Sequence, residues 1–146
     1  MSALTGFRVL DLSRILAGPW CSQILADLGA EVIKIEKPFQ GDDTRIWGPP
    51  FLKNDNGQDT SESAYYLSAN RGKHSVAIDM ATSEGQALIK KMVLESDVLI
   101  ENYKAGSLKK YGLDYESLSQ INPKLVYCSI TGFGQTGPRA EEPGYD

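Results

Sequence analysis

Arg8-Val9-Leu10-Asp11-Leu12 and, further on, Glu31-Val32-Ile33-Lys34-Ile35-Glu36 decide the fold of this chain. Each is a short run of branched apolar residues, the composition of a buried strand. Between them Ser13–Gly18 reads as a loop, and Pro19 suits the first turn of a helix, where its missing N–H costs nothing. Trp20, Cys21, Ile24, Leu25 and Leu28 then recur at helical spacing, and Gly29 suits the stop. Residues 7–36 therefore form a β-α-β unit with a right-handed crossover and parallel strands.

The same alternation continues. His74–Asp79 reads as a third strand, and Thr82 or Ser83 can cap a helix over 83–96 that turns Leu88, Ile89, Met92 and Val93 inward. Asp97–Glu101 is a fourth strand, Ser107–Tyr111 and Tyr115–Gln120 are short helices, and Leu125–Ile130 is a fifth strand. A helical turn at Tyr65–Ala69 precedes the turn Asn70-Arg71-Gly72-Lys73. Residues 37–63 are rich in Gly, Pro, Asn, Asp and Ser and read as one long loop, mobile or functional. Residues 139–146 also read as loop. The expectation is an α/β domain over 1–146, with a mostly parallel Rossmann-like sheet and helices on both faces.

Composition narrows the function. The 146 residues carry a net charge of −4, and no basic run exceeds two residues, which argues against nucleic acid. The two cysteines, Cys21 and Cys128, have no metal-ligand spacing, so no metal site is expected. They read as small core residues in a reducing compartment, the cytosol or the mitochondrial matrix. No signal peptide or membrane-length apolar run stands out, so a soluble protein with no membrane partner is expected.

Ligands of open parallel sheets sit beyond the carboxyl ends of the strands. The segments expected there carry Arg14, Lys37, Arg45 and Lys104, then Lys109 and Lys110, and the flat groups Trp47, Tyr103 and Phe133. Lys34 and Lys37, delivered by the second strand, suggest together with Arg45 and Trp47 a surface for a phosphorylated, ring-bearing ligand. Gly132-Phe133-Gly134-Gln135-Thr136-Gly137 matches G-x-G-x-x-G, but Pro138 follows at once, so no helix N-terminus is expected there and a dinucleotide site is rejected. The single histidine, His74, reads as structural or exposed. Asp42-Asp43 and Glu141-Glu142 read as solvated loop carboxylates.

Several stretches together resemble the class III CoA-transferases. They are Gly6-Phe7-Arg8-Val9-Leu10-Asp11-Leu12-Ser13 with Ala17-Gly18-Pro19, Leu28 to Glu36, Gly41-Asp42 with Thr44-Arg45, and Asn70-Arg71-Gly72-Lys73, followed by Asp97 to Tyr103 and Ser129 to Pro138. The resemblance spans the chain, in order and at family spacing. Asp42 to Pro50 and Tyr65 to Arg71 are closest to the dicarboxylate, succinyl-CoA–glutarate type branch.

The resemblance implies a transferase more than twice as long as this chain, with a large α/β domain, a smaller domain and an interlocked homodimer. It implies acyl-CoA and a carboxylic acid as substrates, with no tightly bound cofactor. It implies an Asp nucleophile downstream of Asp146 that attacks the thioester to give an anhydride and then an enzyme–CoA thioester. No catalytic residue is therefore expected within this chain, which would be an N-terminal portion, inactive alone. The coenzyme A contacts implied are Ile15, Leu16 and Ala17, where Leu16 stands for a Gln in some members, then Lys37, the stretch Ile78, Met80 and Ala81, the loop Asn102, Tyr103 and Lys104, and Lys110. Trp47, Tyr65 and Tyr145 match positions near the acyl pocket. Two alternatives stand beside this reading. One is an α-methylacyl-CoA racemase of the same fold, although Tyr145 stands where that branch carries a His and is a poor base. The other is a non-catalytic fragment that only binds coenzyme A.

Overall fold

The computed structural model describes residues 2–144. Strand β1 (Arg8–Asp11) leads through helix α1 (Ala17–Asp27) to β2 (Glu31–Glu36). The hairpin β3 (Phe51–Lys53) and β4 (Asp59–Ser63) comes next, then α2 (Ala64–Asn70), β5 (Lys73–Ala77), α3 (Ser83–Leu94), β6 (Val98–Glu101), α4 (Tyr115–Ile121) and β7 (Val126–Ser129). Short 3-10 helices at Asp43–Ile46 and Ser107–Tyr111 lie in the connections. Thr82, rather than Ser83, caps α3, its hydroxyl accepting the Gly85 N–H at 3.0 Å.

The main sheet has five strands in the order β5-β2-β1-β6-β7, every pair parallel. The chain builds outward from β1 to β5, then returns to start the other half at β6. That reversal leaves a crevice between β1 and β6 at their carboxyl ends. Its two lips are the turn after β1, Ser13–Leu16, and the loop after β6, Asn102–Ser107.

Side chains alternate across the sheet, so each strand serves two layers. On one face Leu10, Ile35 and Leu99 meet Ile89 and Val93 of α3 and Leu118 of α4. On the other, Val9, Val32 and Ile100 meet Cys21 and Leu25 of α1. Helices thus cover both faces, and the cysteines pack as expected; burial pushes the Cys128 thiol up, with Cys21 beside it. Toward their carboxyl ends the strands change character on the α1 face, with Asp11, Lys34 and Glu36 buried there.

Three expectations need correcting. Of the apolar residues at helical spacing around α1, Cys21 and Leu25 pack on the sheet but Trp20, Ile24 and Leu28 are exposed, while Ser22 and Gln23 are buried. The helix turns its polar side inward because polar groups wait there. Ser22 Oγ donates to Asp11 at 2.5 Å, and the Gln23 amide bridges the Ser68 carbonyl and the Arg71 N–H at 3.0 and 3.1 Å. Leu88 of α3 is half exposed rather than inward, since Gly85, Ile89 and Val93 form the buried face.

Residues 37–63 are also not one loop. They hold a 3-10 helix and the antiparallel hairpin β3–β4, whose turn is tied by Asn54: its side chain accepts the N–H groups of Asn56 and Gln58, both at 3.0 Å.

One glycine in this frame is required by close approach. A Cβ on Gly18 would stand 2.2 Å from the Cβ of Ser13, so α1 can begin against the β1 turn only without a side chain there.

Candidate functional site

A cleft of about 480 Å³ opens beyond the carboxyl ends of β1, β2, β5 and β6. Ile35, Ile78 and Leu108 give it an apolar lining, joined by Met80, Ala81 and the ring of Tyr103. Lys37 and Lys110 supply the cations, and Ser13 and Arg14 form the lip on the β1 side. Burial pushes the Tyr103 hydroxyl up to about 12, so it is neutral at physiological pH. Ser107 Oγ, also in the lining, is buried and finds no hydrogen-bond partner among the described residues. A buried hydroxyl left unpaired is costly, and a ligand group would satisfy it.

The sequence-derived contacts divide. Lys37, Ile78, Met80, Ala81, Tyr103 and Lys110 come together in this cleft from three separate connections, those after β2, β5 and β6. Ile15, Leu16, Ala17, Asn102 and Lys104 do not line it. The first three continue the lip into α1, and Asn102 acts on the backbone of the lip. Trp47 and Tyr65 pair edge to face, with ring centroids 5.4 Å apart, outside the cleft lining. Tyr145 lies outside the described residues.

Other expectations fail on burial. Lys34 is no surface cation: its side chain is 1% exposed, its ammonium 3.0 Å from Asp42 Oδ2 and 2.9 Å from the Ser13 carbonyl. Arg45 points inward as well. Its guanidinium binds both Glu36 oxygens at 2.7 and 2.8 Å, Glu62, and the Tyr66 hydroxyl at 2.6 Å. Asp42 is not solvated, since only 5% of it is exposed. Its carboxylate accepts the Thr44 N–H and hydroxyl at 3.0 and 2.7 Å and the Ile15 N–H at 3.2 Å. Phe133 lies under the Arg139 guanidinium, 3.6 Å from its carbon, and not in the cleft lining. No helix follows Gly137 among the described residues, as Pro138 demanded.

These buried charges are matched. Burial opposes ionisation of Glu36, but hydrogen bonds from Arg45, Ser75, the Asp42 N–H and Tyr66 outweigh it and hold the carboxyl at about 2. For Asp42 burial again opposes the charge, and Lys34 with Thr44 outweighs it, keeping the carboxyl below its usual range. Lys73, 3.1 Å from Asp11 and with its side chain 2% exposed, is lowered to about 8 by burial, only partly offset by Asp11.

Glu36, Asp42 and Ser107 escaped the sequence reading as parts of the site. For Asp42 a signal existed: an Asp two residues before Thr44 is an Asx-type cap, and such a carboxylate is committed to backbone N–H groups. Ser107 carried no comparable mark.

An apolar slot with a neutral phenol and the ammonium groups of Lys37 and of Lys110, the latter 4.7 Å over the Tyr111 ring, can take a flat, phosphorylated molecule: hydrocarbon for its body, ammonium groups for its phosphates. Among the described residues no group of three or more His, Cys, Asp or Glu converges as a metal site would require, and no helix is long and apolar enough to cross a membrane.

Known proteins carry the same frame. The chain is 59% identical over 143 residues to a succinate–glutarate CoA-transferase of Agrobacterium fabrum, covering 98% of this chain and 36% of that one. It is 50% identical over 143 residues to the human succinyl-CoA:glutarate CoA-transferase, covering 98% of this chain and 31% of that protein. Among solved structures, a CAIB/BAIF family protein from Brucella suis superposes with a TM-score of 0.92 at 58% identity, over 99% of this chain and 37% of that one. The chain thus spans about a third of the length of the curated relatives it matches. The family model for CoA-transferase family III matches residues 4–146, and the conclusion is direct: this chain belongs to CoA-transferase family III.

Proposed function

We propose that this segment is the coenzyme A-binding part of a transferase that moves coenzyme A between an acyl-CoA and a dicarboxylic acid, with succinyl-CoA and glutarate as the leading pair. The observation that carries the reading is the cleft itself, where Lys37 and Lys110 flank the Ile78–Ala81 and Tyr103 surface. Lysines there meet the phosphates as point charges, without the fork an arginine offers. The neutral Tyr103 ring and Met80 give a dry contact for the flat base, and Ser107 offers a hydroxyl to a polar group of the nucleotide. The names of the two relatives support the substrate pair.

In this reading the nucleophile is an aspartate in sequence following Asp146, in a homodimer of interlocked subunits working in the cytosol. Its carboxylate attacks the thioester carbonyl, the C–S bond breaks, and the CoA thiolate leaves, giving an acyl–aspartyl anhydride. Thiolate attack on the aspartyl carbonyl then releases the first acid and forms an enzyme–CoA thioester, which the incoming carboxylate opens in the reverse order.

The test is glutaryl-CoA formation from succinyl-CoA and glutarate by a full-length protein containing this segment. Reversing Lys37→Glu together with Lys110→Glu is expected to weaken coenzyme A binding at least about tenfold. Undiminished affinity in that variant rejects the assignment of the cleft.

A further inference from the structure

The turn after β1 hangs from side chains of other elements. Ser13 gives its N–H to Asp11 at 2.9 Å and its hydroxyl to the same carboxylate. Its carbonyl accepts from Lys34 at 2.9 Å. The Arg14 N–H donates to Asn102 Oδ1, and the Arg14 carbonyl accepts from Asn102 Nδ2, both at 2.8 Å. The Ile15 N–H donates to Asp42 at 3.2 Å. Ile15 sits at φ +69°, a left-handed conformation that a β-branched residue avoids unless its surroundings impose it.

Two of these holders are a closed pair. Lys34 and Asp42 have side chains 1% exposed each and face one another at 3.0 Å. Neither reaches the cleft with a spare charge, because Lys34 is spent on Asp42 and Ser13, and Asp42 on Lys34, Ile15 and Thr44. A buried ion pair is weak as a source of stability, since hydrocarbon of the same volume often does as well. What hydrocarbon cannot do is accept the N–H of a strained Ile15 and donate to the Ser13 carbonyl. The pair also joins the two cleft walls: Ser13 and Arg14 on one side, and the Gly41–Asp43 segment on the other.

We propose that Lys34 and Asp42 are positioning residues, which fix the Ser13–Ile15 turn and thereby the lip of the ligand cleft. The inference rests on the coenzyme A reading for the identity of the ligand. It does not rest on that reading for the hold on the turn. Asp42 lines the cleft with its charge already matched by Lys34, and both residues act through the backbone they grip. Loss of the pair lets Ile15 relax toward ordinary φ values, and Arg14 shifts from the cleft edge where it pairs with Asp43 of the opposite wall.

The test uses a full-length protein containing this segment, with two readouts. One is hydrogen exchange at the Ile15 amide; the other is the Kd for coenzyme A by calorimetry. Asp42→Asn is expected to speed exchange at Ile15 while leaving the Leu10 and Val32 amides protected, and to weaken coenzyme A about tenfold, the scale on which misplaced site groups cost affinity and rate. The double variant Lys34→Met with Asp42→Leu removes both charges and guards against misfolding of the single one. It is expected to keep the unaltered protein's Tm or exceed it, yet to bind coenzyme A as weakly as Asp42→Asn.

Recovery of full affinity in the double variant overturns the proposal, because the pair would then be structural only. Faster exchange at Ile15 with unchanged affinity overturns it too. If the unaltered protein shows no coenzyme A binding, the functional reading is what has failed, and exchange at Ile15 still decides whether the pair holds the turn.

Discussion

On the face covered by α3 and α4, Leu10 and Leu99 meet Ile89, Val93 and Leu118, hydrocarbon against hydrocarbon. On the face covered by α1, beyond the Val9 and Val32 contacts with Cys21 and Leu25, β1 and β2 end in Asp11, Lys34 and Glu36, and the helix answers there with Ser22 and Gln23. The first arrangement is non-directional and gives stability in proportion to the area it removes from water. The second is directional, and its hydrogen bonds end on loops: Asp11 on Ser13, Lys34 on Ser13, Glu36 on the Asp42 N–H at 2.7 Å. One face holds the sheet together, and the other tells the connections where to go.

That contrast can be broken by mutation. Asp11→Ala should cause the largest loss, about 3–5 kcal/mol, because it leaves the Lys73 ammonium buried without its partner. The loss should shrink as pH is raised, since an unpaired buried ammonium sheds its proton. Urea unfolding at several pH values measures both. Leu99→Ala, on the other face and 0% exposed, should cost about 2–5 kcal/mol through lost contact and a cavity, with no pH dependence beyond that of the parent. Equal pH profiles for the two variants would show that the faces do not differ as described.

The smallest effect is one of slope. The folded state holds the Glu36 carboxyl at about 2, below its ordinary 4.5, so it binds fewer protons there than the unfolded chain does. Its contribution is complete above about pH 4.5 and is lost as pH falls toward 2. Glu36→Gln should therefore flatten the acid limb of stability in that window. An acid limb unchanged by the substitution would mean that other carboxylates carry it.

Much of the hydrocarbon face was legible in the sequence. β1, β2 and β6 are dense in Val, Ile and Leu, and the inward placement of Ile89 and Val93 follows from helical period alone. The polar face was not. Reading Trp20, Ile24 and Leu28 at helical spacing says that α1 is a helix, but which side it buries depends on Asp11 and Lys34, which only the folded sheet brings beneath it. The burial of Asp42 likewise depends on Lys34, from another element. The β3–β4 hairpin was missed because its strands are short and charged, although Asn56-Gly57 between them is a recognised turn signal. Within the site, residues that project into the cleft from strand ends, such as Lys37 and Tyr103, were placed by topology and resemblance. The backbone contacts of Asn102 with Arg14 and of Asp42 with Ile15 had no mark in the sequence, and Asp42, read as a solvated loop carboxylate, is buried.

The grip of Asn102 on Arg14 reaches Arg14 only through its peptide groups, a side-chain amide standing in for a strand partner past the end of the sheet. Nothing in that clasp reads what hangs from the α-carbon. Position 14 is therefore a socket: different side chains can be mounted there at the mouth of the cleft without rebuilding what carries them. A change of side chain there alters the charge at the cleft mouth while the turn keeps its course.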